Sequence, residues 1–146
     1  MALKGGCACG ALRYETDAVP FHRTLCHCVD CRRASGAPAV AWFTVPADAL
    51  RWAGASPAVH RSSPQVERSF CAVCGTPLTY RNDAYAHELD VLTCTLDDPE
   101  AASPQDHTFA SQRVSWMRID DAGAGGGMPV YPRSRGEGIP GTDQKE

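Results

Sequence analysis

A chain of 146 residues has room for one modest core and is short for two domains. Its 43% hydrophobic and 21% charged residues are ordinary for a folded domain and exclude wholesale disorder. A formal net charge of -3 leaves no surplus of Lys and Arg, which argues against a nucleic-acid partner.

No run of about twenty apolar residues offers a membrane span. The opening residues Met1, Ala2, Leu3, Lys4, Gly5 and Gly6 lack the apolar stretch of a secretory signal. The expected setting is therefore the reducing cytoplasm, where eight cysteines serve metals better than disulfides.

In chain order, residues 12–16 alternate between Gly10 and Pro20 and read as a strand. Residues 21–25 form a second strand that runs into a cysteine cluster, and one or two helical turns follow Cys28. Residues 38–45 are apolar and rich in aromatic and β-branched types, and Pro46 stops them before a short helical stretch at 46–50. Three more strands are expected at 59–63, 66–70 and 77–81, separated by turn residues such as Cys74-Gly75-Thr76-Pro77. Segments 87–96 and 107–114 complete the set. Many short strands with little helical periodicity predict a mainly β domain with few short helices over residues 1–133. From Ala122 onward Gly, Pro and charged residues dominate. Tyr131 is expected to anchor that stretch, and 134–146 to form a flexible C-terminal tail.

Seven of the eight cysteines fall into three tight groups: Cys7 and Cys9; Cys26, Cys28 and Cys31; Cys71 and Cys74. Close spacing puts sulfurs within reach of one ion while the backbone turns beneath them. The simplest accounting joins the first and last groups into a closed four-thiolate zinc site, which has no position left for substrate. The middle group then holds three thiolates. Either it stays open, as catalytic zinc sites do, or a histidine or the lone Cys94 closes it. His27 sits between two ligands and should turn the other way. Cys94, in a half-apolar strand, reads as a small core residue.

The cysteine groups and their surroundings resemble the glutathione-dependent formaldehyde-activating enzyme family. The likeness rests on Gly6-Cys7-Ala8-Cys9-Gly10 with Leu12-Arg13-Tyr14-Glu15, and on Cys26-His27-Cys28-Val29-Asp30-Cys31-Arg32-Arg33. Ser35-Gly36-Ala37-Pro38 with Trp42, the run from Ser69 to Leu78, Leu96-Asp97-Asp98-Pro99-Glu100, Pro104, His107 and Trp116 extend it across residues 5–131. The resemblance implies a β-tent fold of small antiparallel sheets around zinc. It also implies two zinc ions: a structural one on Cys7, Cys9, Cys71 and Cys74, and a catalytic one on Cys26, Cys28 and Cys31. The implied reaction is a carbon–sulfur lyase's, joining glutathione and formaldehyde. A centromere protein shares the scaffold, so the fold alone does not guarantee catalysis.

Glutathione's two carboxylates need cationic or N–H partners, for which Arg32, Arg33 and the Ser35-Gly36 turn are the candidates. His27 is a candidate general acid or base, or a hydrogen-bonding support for the ligands. Trp42 is expected in the core, with a wall of the substrate pocket as the alternative, and Ser62-Ser63 at a solvated strand end, with the cleft lining as the alternative. The competing readings are a zinc-stabilised protein-binding module without turnover and a thiol or metal sensor.

Overall fold

The computed structural model describes residues 2–118 and 128–135. The expected alternation is fully realised in one strand, where Leu12, Tyr14 and Thr16 are buried and Arg13 and Glu15 are less so. Numbered in chain order, the strands are β1 (Leu3–Gly6), β2 (Leu12–Thr16), β3 (Phe21–Cys26), β4 (Val40–Pro46) and β5 (Arg51–Gly54). They continue with β6 (Ala58–Ser63), β7 (Val66–Phe70), β8 (Pro77–Asn82), β9 (Glu88–Leu92) and β10 (Asp106–Thr108). One α-helix, α1 (Val29–Ser35), joins β3 to β4.

The smaller sheet runs β1-β2-β5 and the larger β10-β3-β4-β9-β8-β7-β6. All pairings are antiparallel except β10 beside β3. Strands β1 and β5 carry little sequence signal. The first reads Leu-Lys-Gly-Gly, and its Gly5 lies so close to Tyr14 and the Thr95 carbonyl that any Cβ would overlap them. The second is mostly exposed.

Strand β4 explains how the site and the core share one framework. Phe43 and Val45 point into the apolar layer between the sheets, with Leu12, Tyr14, Leu78 and Val91. Val40 and Trp42 point the other way, into a second cluster with Cys26, Cys28, Cys31 and Phe109. A central strand buried on both faces reads as a continuous apolar run, as residues 38–45 do. Trp42, expected in the core, thus belongs to the layer that carries the three cysteines.

Two expected strands are shorter than read. β9 ends at Leu92 because Thr95 Oγ1 donates to the Leu92 carbonyl at 2.7 Å, and Leu96 N–H donates to the Thr93 carbonyl at 3.0 Å. These local bonds compete with the ladder and wind Thr93–Thr95 into a 3-10 turn. Cys94 is exposed there, not a small core residue. β10 ends at Thr108 because Phe109 takes a left-handed φ of 54°, and the 3-10 turn Ala110–Gln112 follows.

The stretch around Tyr131 is anchored through its backbone. Tyr131 N–H donates to the His107 carbonyl at 2.9 Å, and Ala110 N–H to the Tyr131 carbonyl at 3.0 Å. The first residues of the expected tail are also held: the Arg135 guanidinium grips Asp106 at 2.6 and 2.7 Å. Residues 136–146, where the rest of that tail was expected, lie outside the described residues. No helix among the described residues is long and apolar enough to cross a membrane.

Candidate metal centres and the cavities beside them

The first and last cysteine pairs are built on the same local plan. Gly10 N–H donates to the Cys7 carbonyl at 3.1 Å, and Gly75 N–H to the Cys71 carbonyl at 2.8 Å. Both glycines have φ near +80°, at 78° and 81°. This left-handed turn folds each chain segment back so that its two sulfurs point the same way. The turns bring Cys7, Cys9, Cys71 and Cys74 together with all four sulfurs within 4.8 Å of one another.

The spacing suits a metal and not a disulfide. Cys7 and Cys9 sulfurs are 3.5 Å apart, and those of Cys9 and Cys71 3.9 Å. A tetrahedral zinc with Zn–S bonds of about 2.3 Å needs sulfurs about 3.8 Å apart, whereas a disulfide needs about 2.05 Å. Leu12 N–H donates to Cys7 Sγ at 3.3 Å, and Thr76 Oγ1 lies 3.1 Å from Cys74 Sγ. Hydrogen bonds from Thr76 hold the Cys74 thiol down to about 5. Cys7 and Cys71 are buried, while Cys9 and Cys74 are exposed.

The middle group forms a separate cluster. Cys26 ends β3, Cys28 caps α1 and Cys31 lies in that helix's first turn, all three buried with sulfurs within 4.8 Å. Cys31 N–H donates to Cys28 Sγ at 3.2 Å, a cap that favours thiolate there. Hydrogen bonds from Cys26 and Cys31 hold Cys28 down at about 3. Its partner Cys26 is pushed well above the usual thiol range by those bonds and by burial. At Cys31 the bond with Cys26 pulls downward, but the bond with Cys28 and burial win and lift it to about 12. Three buried cysteine sulfurs within 4.8 Å of one another are a donor set that a soft divalent cation fits. No fourth His, Cys, Asp or Glu joins them among the described residues.

His27 is not part of the three-sulfur group. It is fully buried, with Nε2 2.9 Å from His107 Nδ1, and Nδ1 has no hydrogen-bond partner. Burial, then the His107 charge, pull its pKa down to about 4.

Two cavities share a wall near the three-cysteine cluster, and Cys26 and Cys31 line only the smaller. The smaller, about 380 Å³, is lined by Cys26, Cys31, Thr44, Asp90 and Arg135 among others. The larger, about 880 Å³, takes Arg33 from α1, His60 from β6, Arg68 from β7 and Asn82 from β8. Trp42 and Tyr80 line both, with ring centroids 6.0 Å apart, so this aromatic pair is a shared wall. Arg68 lies 5.0 Å over the Tyr80 ring, and its charge lowers Cys28 and Cys31.

The residues read as glutathione contacts are placed unevenly. Arg33 lines the larger cavity. Arg32 lines neither of the two, and its Nε is buried without a hydrogen-bond partner. Ser35 Oγ donates to the Cys31 carbonyl at 2.7 Å, and Gly36, at φ 70°, closes the helix through its N–H to the Arg32 carbonyl. Both therefore end α1 and stand outside the two cavities. Ser62 and Ser63, expected at a solvated strand end, line the larger cavity.

Arg68, Tyr80 and Asp90 were not legible in the sequence as site residues. Asp90 alternates with Leu89 and Val91 like any solvated strand position, yet the register sets it opposite Thr44. Thr44 Oγ1 donates to its carboxyl at 2.6 Å, and burial pushes Asp90 up to about 6. Among the described residues, the two non-glycine residues with left-handed backbone, His22 at φ 47° and Phe109, both line the smaller cavity. Strained backbone often gathers at functional sites.

A family model described as glutathione-dependent formaldehyde-activating enzyme matches residues 2–112. A solved Rhodobacter sphaeroides protein is similar at TM-score 0.55 and 22% identity, covering 64% of this chain and 87% of its own. That likeness is one of fold. No curated protein matches the chain.

Proposed function

The chain belongs to the glutathione-dependent formaldehyde-activating enzyme family, and on that premise we propose that it is a carbon–sulfur lyase-type enzyme joining a small thiol to a small electrophile. Glutathione is the first thiol to test, and formaldehyde the first electrophile. Two zinc ions complete this reading: one on Cys7, Cys9, Cys71 and Cys74 for structure, one on Cys26, Cys28 and Cys31 for chemistry. Zinc held by the latter group would supply an exchangeable position and lower the pKa of a thiol taking it.

The observation that carries the reading is a buried trio of sulfurs with no fourth ligand among the described residues, beside a cavity that two of them line. A scaffold zinc has no use for an open position. The chain's own residues do the rest. Arg33 and Arg68 put two cations in the larger cavity, matching a peptide thiol with two carboxylates. At about 880 Å³ that cavity lies in the range of small-molecule sites, roughly 300–1,000 Å³. Trp42 and Tyr80 form an apolar wall that limits water at the reacting sulfur. Ser35 and Gly36 fix the end of the helix that carries Cys31. Free thiols in this number also agree with a reducing compartment such as the cytoplasm.

The test is exchange NMR on zinc-loaded protein with glutathione, formaldehyde and their adduct, against a Cys31→Ser control. Accelerated exchange that the control lacks is the expected result. No acceleration in protein shown to hold two zinc ions would sink the named reaction.

A further inference from the structure

Asp90 has no part in the ligand sets above, and its surroundings give it one. It shares the smaller cavity with Cys26 and Cys31. Thr44 Oγ1, at 2.6 Å from Oδ1, is the only hydrogen-bond partner of the carboxyl among the described residues, so Oδ2 has none. A carboxyl fixed at one oxygen and unengaged at the other, in a cavity lined by two buried thiols, is placed to meet a polar atom of a bound molecule. Thr44 sits on the same face of β4 as Trp42, which orients Asp90 toward the cluster and away from the core.

We propose that Asp90 is a catalytic residue, hydrogen-bonding the carbonyl oxygen of the electrophile and passing it a proton as the thiol adds. This rests on the reading of the three-cysteine cluster as the site of thiol addition. In that addition a sulfur–carbon bond forms, the carbonyl π bond opens, and its electron pair goes to oxygen. The proton on Asp90 moves to that oxygen, and the proton shed by the next thiol restores the carboxyl. Nothing is oxidised or reduced. In the reverse direction the carboxylate takes the hydroxyl proton as the adduct splits.

The charges around Asp90 suit this duty. Burial is the main influence and raises it, Glu88 on the same strand adds to the rise, and Arg135 opposes it. Tyr80 and Tyr85, His22 of β3, and the Cys26 and Cys31 thiols are the other titratable groups lining the cavity. The result, about 6, lies close to neutral pH, where a carboxyl both gives and takes protons efficiently.

The experiment uses the zinc-loaded full chain. Asp90→Asn should lower the exchange rate about 100-fold, the scale of a lost acid–base group, at unchanged zinc content. The limb of the pH–rate profile with a midpoint near 6 should vanish with it. Thr44→Val removes a hydrogen bond that lowers Asp90, so it should move that limb to higher pH. A second readout does not depend on turnover. In protein carrying ¹³C at aspartate carboxyls, the resonance missing from Asp90→Asn should shift when formaldehyde is added. An Asn variant within threefold of wild type with the limb intact overturns the proposal, as does an Asp90 resonance that formaldehyde leaves unmoved. Wild-type protein that exchanges no adduct while this resonance responds would sink the thiol-addition reading and keep Asp90 as the aldehyde-binding group.

Discussion

Gly10 and Gly75 occupy equivalent places in the two halves of the four-cysteine cluster, each one residue past an exposed cysteine and each donating its N–H to the carbonyl of a buried one. Their φ angles agree within a few degrees, at 78° and 81°. A Cβ at either position would meet no atom within 4 Å. Any cost of replacing them is therefore conformational and not steric. Gly75→Ala should destabilise the zinc-loaded protein by about 1–2 kcal/mol, the penalty for an L-residue held left-handed. Urea unfolding measures it. An unchanged midpoint would mean that the turn relaxes without loss.

The two clusters should separate in their response to metal removal. The four-cysteine set joins the turn after β1 to the β7–β8 turn, so closing it on zinc would supply folding free energy on the order of 10 kcal/mol. The three-cysteine set lies on the cavity side of β4. Metal analysis should find two zinc ions in wild type and one in a Cys31→Ser variant whose near-ultraviolet circular dichroism is retained. Cys71→Ser should lose that signal together with its metal. A folded Cys71→Ser protein would contradict the structural assignment.

Asp90 gives stability a pH dependence of predictable sign. Its folded pKa, about 6, lies above the ordinary value of 3.8. Between those two values the native state binds more protons than the unfolded chain, so this group's contribution to stability falls as pH rises from about 4 to 6 and is level above. Asp90→Asn removes the penalty of holding a charge there. The variant should be more stable than wild type by about 1 kcal/mol at pH 7, after allowance for partial exposure, and equal to it near pH 4. Thermal melts at the two pH values check this. Equal melting points at pH 7 would show that the carboxylate is not strained by its surroundings. A gain in stability with loss of turnover is the usual mark of a residue kept for chemistry.

What the sequence revealed follows from the range over which each signal acts. The cysteine groups are local, because a metal-binding turn needs its two sulfurs a few residues apart, and the structure gathers the same seven residues into the same two clusters. β2 was legible because its buried side chains alternate. β1 and β5 were not: glycine gives no pattern, and an exposed strand looks like a loop. Asp90 and Arg68 were hidden for another reason. Asp90 meets Thr44 across 46 positions of sequence, and only the β4–β9 register puts them side by side. Likewise Arg68 reaches Tyr80 only through the β7–β8 pairing. Arg32 errs in the opposite direction. Adjacency to Cys31 in sequence drew attention to it, but a helix turns successive side chains by about 100°, and only Arg33 of the pair reaches the cavity.

The four-cysteine cluster also imposes an order of events on synthesis. Cys9 and Cys71 are 62 residues apart. At roughly 5–20 residues per second, the first two thiols emerge about 3–12 s before the last two. During that interval a nascent chain carries half a metal site, able to hold an ion loosely but not to enclose it. The small sheet, whose first strand ends just before Cys7, cannot be locked to the rest until the β7–β8 turn has left the ribosome. Any ion held by all four sulfurs is therefore enclosed only after Cys74 has emerged, which makes docking of the small sheet a late step in folding.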